Sequence, residues 1–161
     1  MNTVFLITGG NIGNRKKNLQ TAALYIEEEA GKIMRSSKIY ETEAWGLSAQ
    51  PAFYNQVHKI ESELSADKIL DIILGIEAKM GRIRTVKNAA RIIDIDILFF
   101  NDAIINKVNL IIPHPEINNR RFVLTPLEEI APEMTHPVLE KSIAELLSTC
   151  KDTLEVMPLN S

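Results

Sequence analysis

Apolar and polar positions recur along this chain with two different periods, and the period assigns most of the elements. Val4-Phe5-Leu6-Ile7 is a continuous apolar run closed by Gly9-Gly10, the pattern of a short buried strand. Asn14 can cap a helix over residues 15–30, where Leu19, Ala22, Ala23 and Ile26 form an apolar stripe at helical spacing and Gly31 is the stop. Residues 32–42, with Ile33, Ile39 and Tyr40, predict a strand; Gly46, Ser48 and Pro51 mark residues 43–51 as a loop. Extended structure resumes over 53–64, where Val57 and Ile60 stand among polar residues, as on a partly exposed strand. Ser65 caps a second helix whose stripe is Ile69, Ile72, Ile73 and Ile76, ended by Gly81. A loop over 82–90 leads to residues 92–100, the most pronounced strand pattern in the chain. Leu110-Ile111-Ile112 runs into a Pro113-His114-Pro115 turn, residues 122–127 have no clear period, and 139–148 predict a last amphipathic helix with Ile143, Leu146 and Leu147 inward.

The order strand, helix, strand, loop, strand, helix, strand predicts a split βαβ arrangement. The expected fold is α+β: a ferredoxin-like sheet of mainly antiparallel strands covered by helices, in αβα layers. No internal repeat, low-complexity tract or linker interrupts it, so residues 1–161 are expected to form a single domain.

Composition narrows the class. Of 161 residues 45% are hydrophobic and 24% charged, a globular balance in a chain large enough to need no disulfide or structural metal. The single cysteine, Cys150, cannot form an intrachain disulfide, which fits a reducing compartment. The N-terminus lacks a basic region, its apolar run is too short for a signal peptide, and no stretch approaches the ~20 apolar residues of a membrane span. The expectation is a soluble cytoplasmic protein without a membrane partner. A net charge of −3 does not favour nucleic acid. Yet Lys79, Arg82, Arg84, Lys87 and Arg91 lie close together with no acid among them. Such a cluster is either a solvated basic loop or a site for a phosphorylated small molecule.

The central chemical pattern is Arg91-Ile92-Ile93-Asp94-Ile95-Asp96-Ile97. Alternate side chains of a strand share a face, so Asp94 and Asp96 point one way, about 6.6 Å apart at Cα, and Ile93, Ile95 and Ile97 point into the core. Two carboxylates side by side repel unless a cation sits between them, and hard oxygen ligands in this number suit Mg²⁺. On the Asp-x-Asp pattern alone, a half-exposed strand with a wet face is the commoner explanation. Arg82, Arg84 and Arg91 just upstream change the weighting, because metal-binding carboxylates plus arginines are the equipment of phosphoryl transfer. Glu77, one turn before Gly81, is an exposed helix carboxylate or faces the same site. His114 is structural or a donor near phosphate. Gly9-Gly10-Asn11-Ile12-Gly13-Asn14-Arg15 follows a strand and opens a helix, a geometry that either cradles an anion or makes a simple tight turn; it lacks the spacing and lysine of a P-loop.

Taken in order, several short motifs resemble one family. They are Gly9-x-Asn11, Tyr40-x-Thr42, Phe53-Tyr54-Asn55, Gly81-Arg82-x-Arg84, Arg91-x-x-Asp94-x-Asp96-Ile97, Pro113-His114, and Asn119-Arg120-x-Phe122-x-Leu124-x-Pro126-Leu127-x-Glu129-Ile130-Ala131-Pro132. Together they are similar to the 6-hydroxymethyl-7,8-dihydropterin pyrophosphokinases of folate biosynthesis. The resemblance implies ATP as co-substrate, two Mg²⁺ ions on Asp94 and Asp96, and Arg82 and Arg91 assisting transfer. It implies ATP contacts from Glu77, Arg84, Ile97, His114 and Arg120. It implies that Thr42, Trp45 (through its backbone) and Asn55 bond the pterin edge, with the ring between Phe53 and Phe122. Aromatic faces and a few polar edge groups suit a flat heterocycle, although Phe53 and Phe122 are equally ordinary core residues without the resemblance. Gly10 and Asn88-Ala89-Ala90 depart from the family pattern of Gly-Ser-Asn and Trp-Gly-Pro. The implied protein is a monomer. The competing class is a ferredoxin-like module that binds RNA or a small ligand without catalysis, which would show aromatics on central strands within a basic surface.

Overall fold

Three strands carry the architecture. β1 (Asn2–Gly10), β4 (Phe53–Ser62) and β5 (Asp94–Phe100) pair antiparallel with β1 in the middle, β1 and β5 buried along most of their length and β4 along half of it. The computed structural model describes residues 1–43, 50–82 and 90–159. Between these strands lie α1 (Arg15–Glu29), β2 (Lys32–Ser36), β3 (Tyr40–Thr42) and α2 (Ala66–Lys79). After them come β6 (Ile105–Lys107), β7 (Leu110–Ile112), α3 (Arg121–Ile130), α4 (Ile143–Ser148) and β8 (Val156–Pro158). The sheet order is β5-β1-β4-β3-β8, with β2 also on β4 and every pairing antiparallel, so two split βαβ units interlock as the ferredoxin-like reading requires. Both expected caps form: Asn14 Oδ1 accepts from the Lys17 N–H at 3.1 Å and Ser65 Oγ from the Lys68 N–H at 3.3 Å.

Residues 32–42, expected as one strand, are two. Ser36 faces His58 and Tyr40 faces Asn55, which sets three residues against two and leaves Ser37 to fill the break. Its Oγ accepts the Val57 N–H at 3.0 Å while its own N–H donates to Val57 O at 2.9 Å. The unperiodic stretch near 122–127 is α3, whose interior Pro126 masks the helical signal in the sequence while Val123, Leu124, Leu127 and Ile130 supply a buried stripe. The last helix starts at Ile143 rather than Leu139, behind a Ser142–Glu145 capping box.

The sheet has a core on each side. Val4, Leu6, Ile60, Ile93, Ile95 and Ile97 pack against α1 and α2. Phe5, Ile7, Val57, Leu98 and Phe99 pack with α3 and α4. A bulge at Leu98, between Phe5↔Phe99 and Leu6↔Ile97, puts Leu98 and Phe99 in the same core. Among the described residues no helix is long and apolar enough to cross a membrane.

Candidate active site

The α3 side of the sheet is apolar at one end only. At the other, where β1 ends and β4 and β5 begin, a cleft opens. Its walls include Gly9 of β1, Thr42 of β3, Phe53 and Asn55 of β4, and Asp94 and Asp96 of β5. Arg91, His114, Arg120 and Phe122 complete it. Alternation along β5 is what delivers the carboxylates: Ile93, Ile95 and Ile97 enter the α1/α2 core, so Asp94 and Asp96 face the cleft.

Asp94 is held by two guanidinium groups. Its Oδ1 accepts from Arg82 Nη1 at 2.6 Å and its Oδ2 from Arg91 Nη1 at 3.1 Å. Arg82 Nη1 also donates to Glu77 Oε2 at 3.2 Å and Ile93 O at 3.3 Å. Glu77 is not an exposed helix carboxylate. It is 2% exposed, and its Oε2 accepts the Ile95 N–H at 2.8 Å, so it binds the outer edge of β5 while gripping Arg82. Burial opposes the charge on Arg82, but Asp94, Glu77 and Asp96 outweigh it and raise its pKa. Asp96 shows the reverse. Burial, then the neighbouring charges of Asp94 and Glu77, push its carboxyl up to about 7, against the pull of Arg120 and Arg82. A cation placed between the two carboxylates would favour the ionised form of Asp96 against both burial and the charge of Asp94.

The polar and aromatic set occupies the same cleft. Thr42 and Asn55 are buried, and Thr42 Oγ1 has no hydrogen-bond partner among the described residues, a costly state that a ligand at the cleft would end. Gly9 makes room for Asn55: a Cβ there would lie 2.1 Å from Asn55 Oδ1. Each aromatic wall carries an arginine, Arg91 over Phe53 at 5.1 Å and Arg120 over Phe122 at 5.6 Å from the ring centroids.

A model of the family described as 7,8-dihydro-6-hydroxymethylpterin-pyrophosphokinase matches residues 5–132. The chain belongs to this family. It is 39% identical to the 2-amino-4-hydroxy-6-hydroxymethyldihydropteridine pyrophosphokinase of Synechocystis, over 86% of this chain and 71% of that protein. The Aquifex aeolicus protein of the same name is 37% identical, over 90% of both chains. The folic acid synthesis protein fol1 of Pneumocystis carinii is 37% identical over 92% of this chain, which spans only 20% of that protein's length. Among solved structures, the Plasmodium falciparum HPPK-DHPS crystal structure with pteroate superposes with a TM-score of 0.76 at 20% identity, over 91% of this chain and 42% of that one. That likeness shows the fold.

The residues that the family resemblance singles out divide between two hollows. Thr42, Phe53, Asn55 and Phe122 stand in the first with Asp94 and Arg91. Ile97 faces away from it. It lines a second groove between α2 and the β6–β7 hairpin, with Leu70, Leu74, Val108 and Ile111. Asp96 and His114 border both. His114 Nδ1 accepts the Glu116 N–H at 3.2 Å, and burial, then Arg120, lower its pKa, so the neutral ring has its Nε2 as donor. Trp45, Arg84 and Lys87 lie outside the described residues. Lys79 leaves the basic cluster and pairs with Glu29 at 2.7 Å.

Two N–H groups of the glycine-rich turn are not available to an anion. The N–H groups of Asn11 and Ile12 both donate to Arg91 O, at 2.9 and 3.2 Å, and are spent there. Residue reading missed Asn11 as a bonding group of this site. Its sequence signals were its place after two glycines and the Gly9-x-Asn11 motif, neither of which assigns it a partner.

Proposed function

We propose that the chain transfers pyrophosphate from ATP to the hydroxymethyl group of 6-hydroxymethyl-7,8-dihydropterin, giving AMP and the pterin diphosphate, as a step in folate biosynthesis. One observation carries this reading: the aromatic walls with buried Thr42 and Asn55 open directly onto the Asp94, Asp96 and arginine cluster. In the reaction the hydroxymethyl oxygen bonds to the β-phosphorus of ATP. The bond from that phosphorus to the bridging oxygen breaks, AMP leaves with the bridging oxygen, and the hydroxyl proton is released.

Phe53 and Phe122 hold the ring by its faces, and Thr42 Oγ1 and Asn55 bond its edge. Trp45 adds a backbone contact. The second groove takes the nucleotide, with Ile97 in its wall and His114 and Arg120 beside the phosphates; Arg84 joins them, and Glu77 acts by holding Arg82. Asp94 and Asp96 are suited to Mg²⁺. They are two hard carboxylates lining one cleft, and Mg²⁺ held by so few protein ligands would complete its shell with water and phosphate oxygens, the usual mode for this ion. Two bound ions would neutralise and align the phosphates. Arg82 and Arg91, already paired with Asp94, neutralise charge developing on the bridging oxygen. In this reading residues 1–161 form one domain acting as a cytoplasmic monomer, with no nucleic-acid partner.

Incubation with MgATP and hydroxymethyldihydropterin tests it. AMP formed in step with pterin diphosphate is expected. ADP would mark simple phosphoryl transfer, and neither product would favour a binding module.

A further inference from the structure

We infer that Asn11 is a positioning residue that couples the pterin side of the cleft to its arginine side. The inference rests on the reaction proposed above. Asn11 follows β1 and is 1% exposed. Its Nδ2 donates to Gln50 Oε1 and to Pro51 O, both at 3.0 Å. Its Oδ1 accepts the Arg91 N–H at 2.8 Å, and the N–H groups of Asn11 and Ile12 return to Arg91 O. The amide can face only this way. Turned over, its oxygen would oppose Pro51 O and its NH₂ would oppose the Arg91 N–H.

The two segments so joined end in the two halves of the site. Two residues beyond Pro51 is Phe53, the aromatic wall and the first residue of β4. The Arg91 side chain lies over that same ring and bonds Asp94. The preceding glycines keep the junction tight. A Cβ on Gly9 would strike Asn55 Oδ1, and one on Gly10 would lie 2.2 Å from Ile92 O. Gly-Gly-Asn is therefore a mechanical junction: Gly9 admits the pterin-side amide, Gly10 admits the backbone next to Arg91, and Asn11 binds both segments. Displacing either segment alone would strip a buried amide of its partners, which is costly. The two halves therefore share one position, and a ligand that fixes one half prepares the other. Such coupling is reciprocal and typically about 5–150-fold in affinity.

The test is calorimetric titration of hydroxymethyldihydropterin into the full chain, with and without a MgATP analogue carrying a methylene bridge between the α- and β-phosphates. In the wild type the analogue should tighten pterin binding by a factor in that range. In Asn11→Ala the factor should fall to within about twofold of unity, with the analogue's own affinity retained within about threefold. Turnover should fall more than the pterin KM rises. Asn11→Asp keeps the acceptor for the Arg91 N–H but places an oxygen against Pro51 O, so it should lose the coupling too. Gln50→Ala, which leaves the buried amide in place, should lose part of it and serves if Asn11→Ala does not fold. A folded Asn11→Ala or Gln50→Ala with full coupling overturns the inference. So does equal weakening of both ligands with coupling intact, which would mark a purely structural role. Wild-type protein that binds both ligands independently also overturns it, while wild-type protein that binds neither overturns the proposed reaction, and this inference with it.

Discussion

Val4 and Leu6 point from β1 toward α1 and α2, and Phe5 and Ile7 toward α3 and α4; the two faces divided this way differ at their ends. The α1/α2 face is mostly apolar, with Leu19, Ile26, Ile60, Ile69, Ile73, Ile76 and Ile93 all essentially inaccessible. Glu77 is buried at its β5 edge, and the buried imidazole of His58 shares a 2.7 Å hydrogen bond with Ser36 Oγ, its Nε2 having no partner among the described residues. Burial pushes its pKa down to about 4. The α3/α4 face is apolar around Phe5, Phe99 and Leu124 but ends in two aspartates, buried amide and hydroxyl groups, and arginines. In β5 the faces are separated by single residues: Ile95 lies between Asp94 and Asp96 and points the other way. One face can thus be given mainly to packing while the other ends in charged and polar groups. A register slip of one residue would exchange them.

Four measurements break or sharpen this contrast. Asp94→Asn and Asp96→Asn should each lower AMP formation by about 10³-fold or more. Asp96→Asn should also leave the ligand-free melting temperature equal or higher, because a buried like-charge repulsion is removed. Near-wild-type turnover in either variant would end the assignment of chemistry to this end of the sheet. Ile26→Ala, in the α1/α2 core and away from both hollows, should cost about 2–5 kcal/mol in urea unfolding with kcat per folded molecule unchanged. A parallel fall in kcat would show that the faces are not independent. Arg82→Ala should lower turnover by about 10²–10³-fold with little change in the pterin KM. Because its guanidinium serves as counter-ion to Asp94, the same variant should bind Mn²⁺ more tightly without nucleotide, as read by electron paramagnetic resonance. Unaltered Mn²⁺ affinity would mean that Arg82 does not compete with cations there.

The smallest effect concerns pH, and the faces should contribute opposite signs. His58 has a folded pKa depressed below that of the unfolded chain, so its contribution is present at neutral pH and is lost as pH falls. Between about pH 7.5 and 5.5 that loss is about 1 kcal/mol. Asp96 is raised in the folded chain, so its contribution is present in acid and lost as pH rises through about 7. Urea unfolding over this range should show a shallower acid loss in His58→Leu than in wild type and a steeper one in Asp96→Asn. Identical slopes in all three would mean that neither group titrates as its surroundings dictate.

Local periodicity made β1, α1, α2 and β5 legible, along with the shared face of Asp94 and Asp96, because strand and helix repeats depend only on neighbours in the chain. The caps at Asn14 and Ser65 were legible for the same reason. The ordered motifs of the family grouped Thr42, Phe53, Asn55 and Phe122 as one expected set, and the four line one cleft. The break at Ser37, the edge strand β8 and the helicity of α3 around Pro126 were not legible, since each is decided by what the segment packs or pairs against. Nor was the work of Glu77 and Asn11. Glu77 reads either as an exposed helix carboxylate or as a residue of the site, and only the β5 edge, 18 residues later, brings it the Ile95 N–H. Asn11 acquires its partners from 39 to 80 residues away. The sequence by itself determined which residues alternate, which are charged and which chemistry they suit. Only the tertiary structure decided which of them meet, because hydrogen bonds and ion pairs between distant segments are set by chain crossing, to which local pattern is blind.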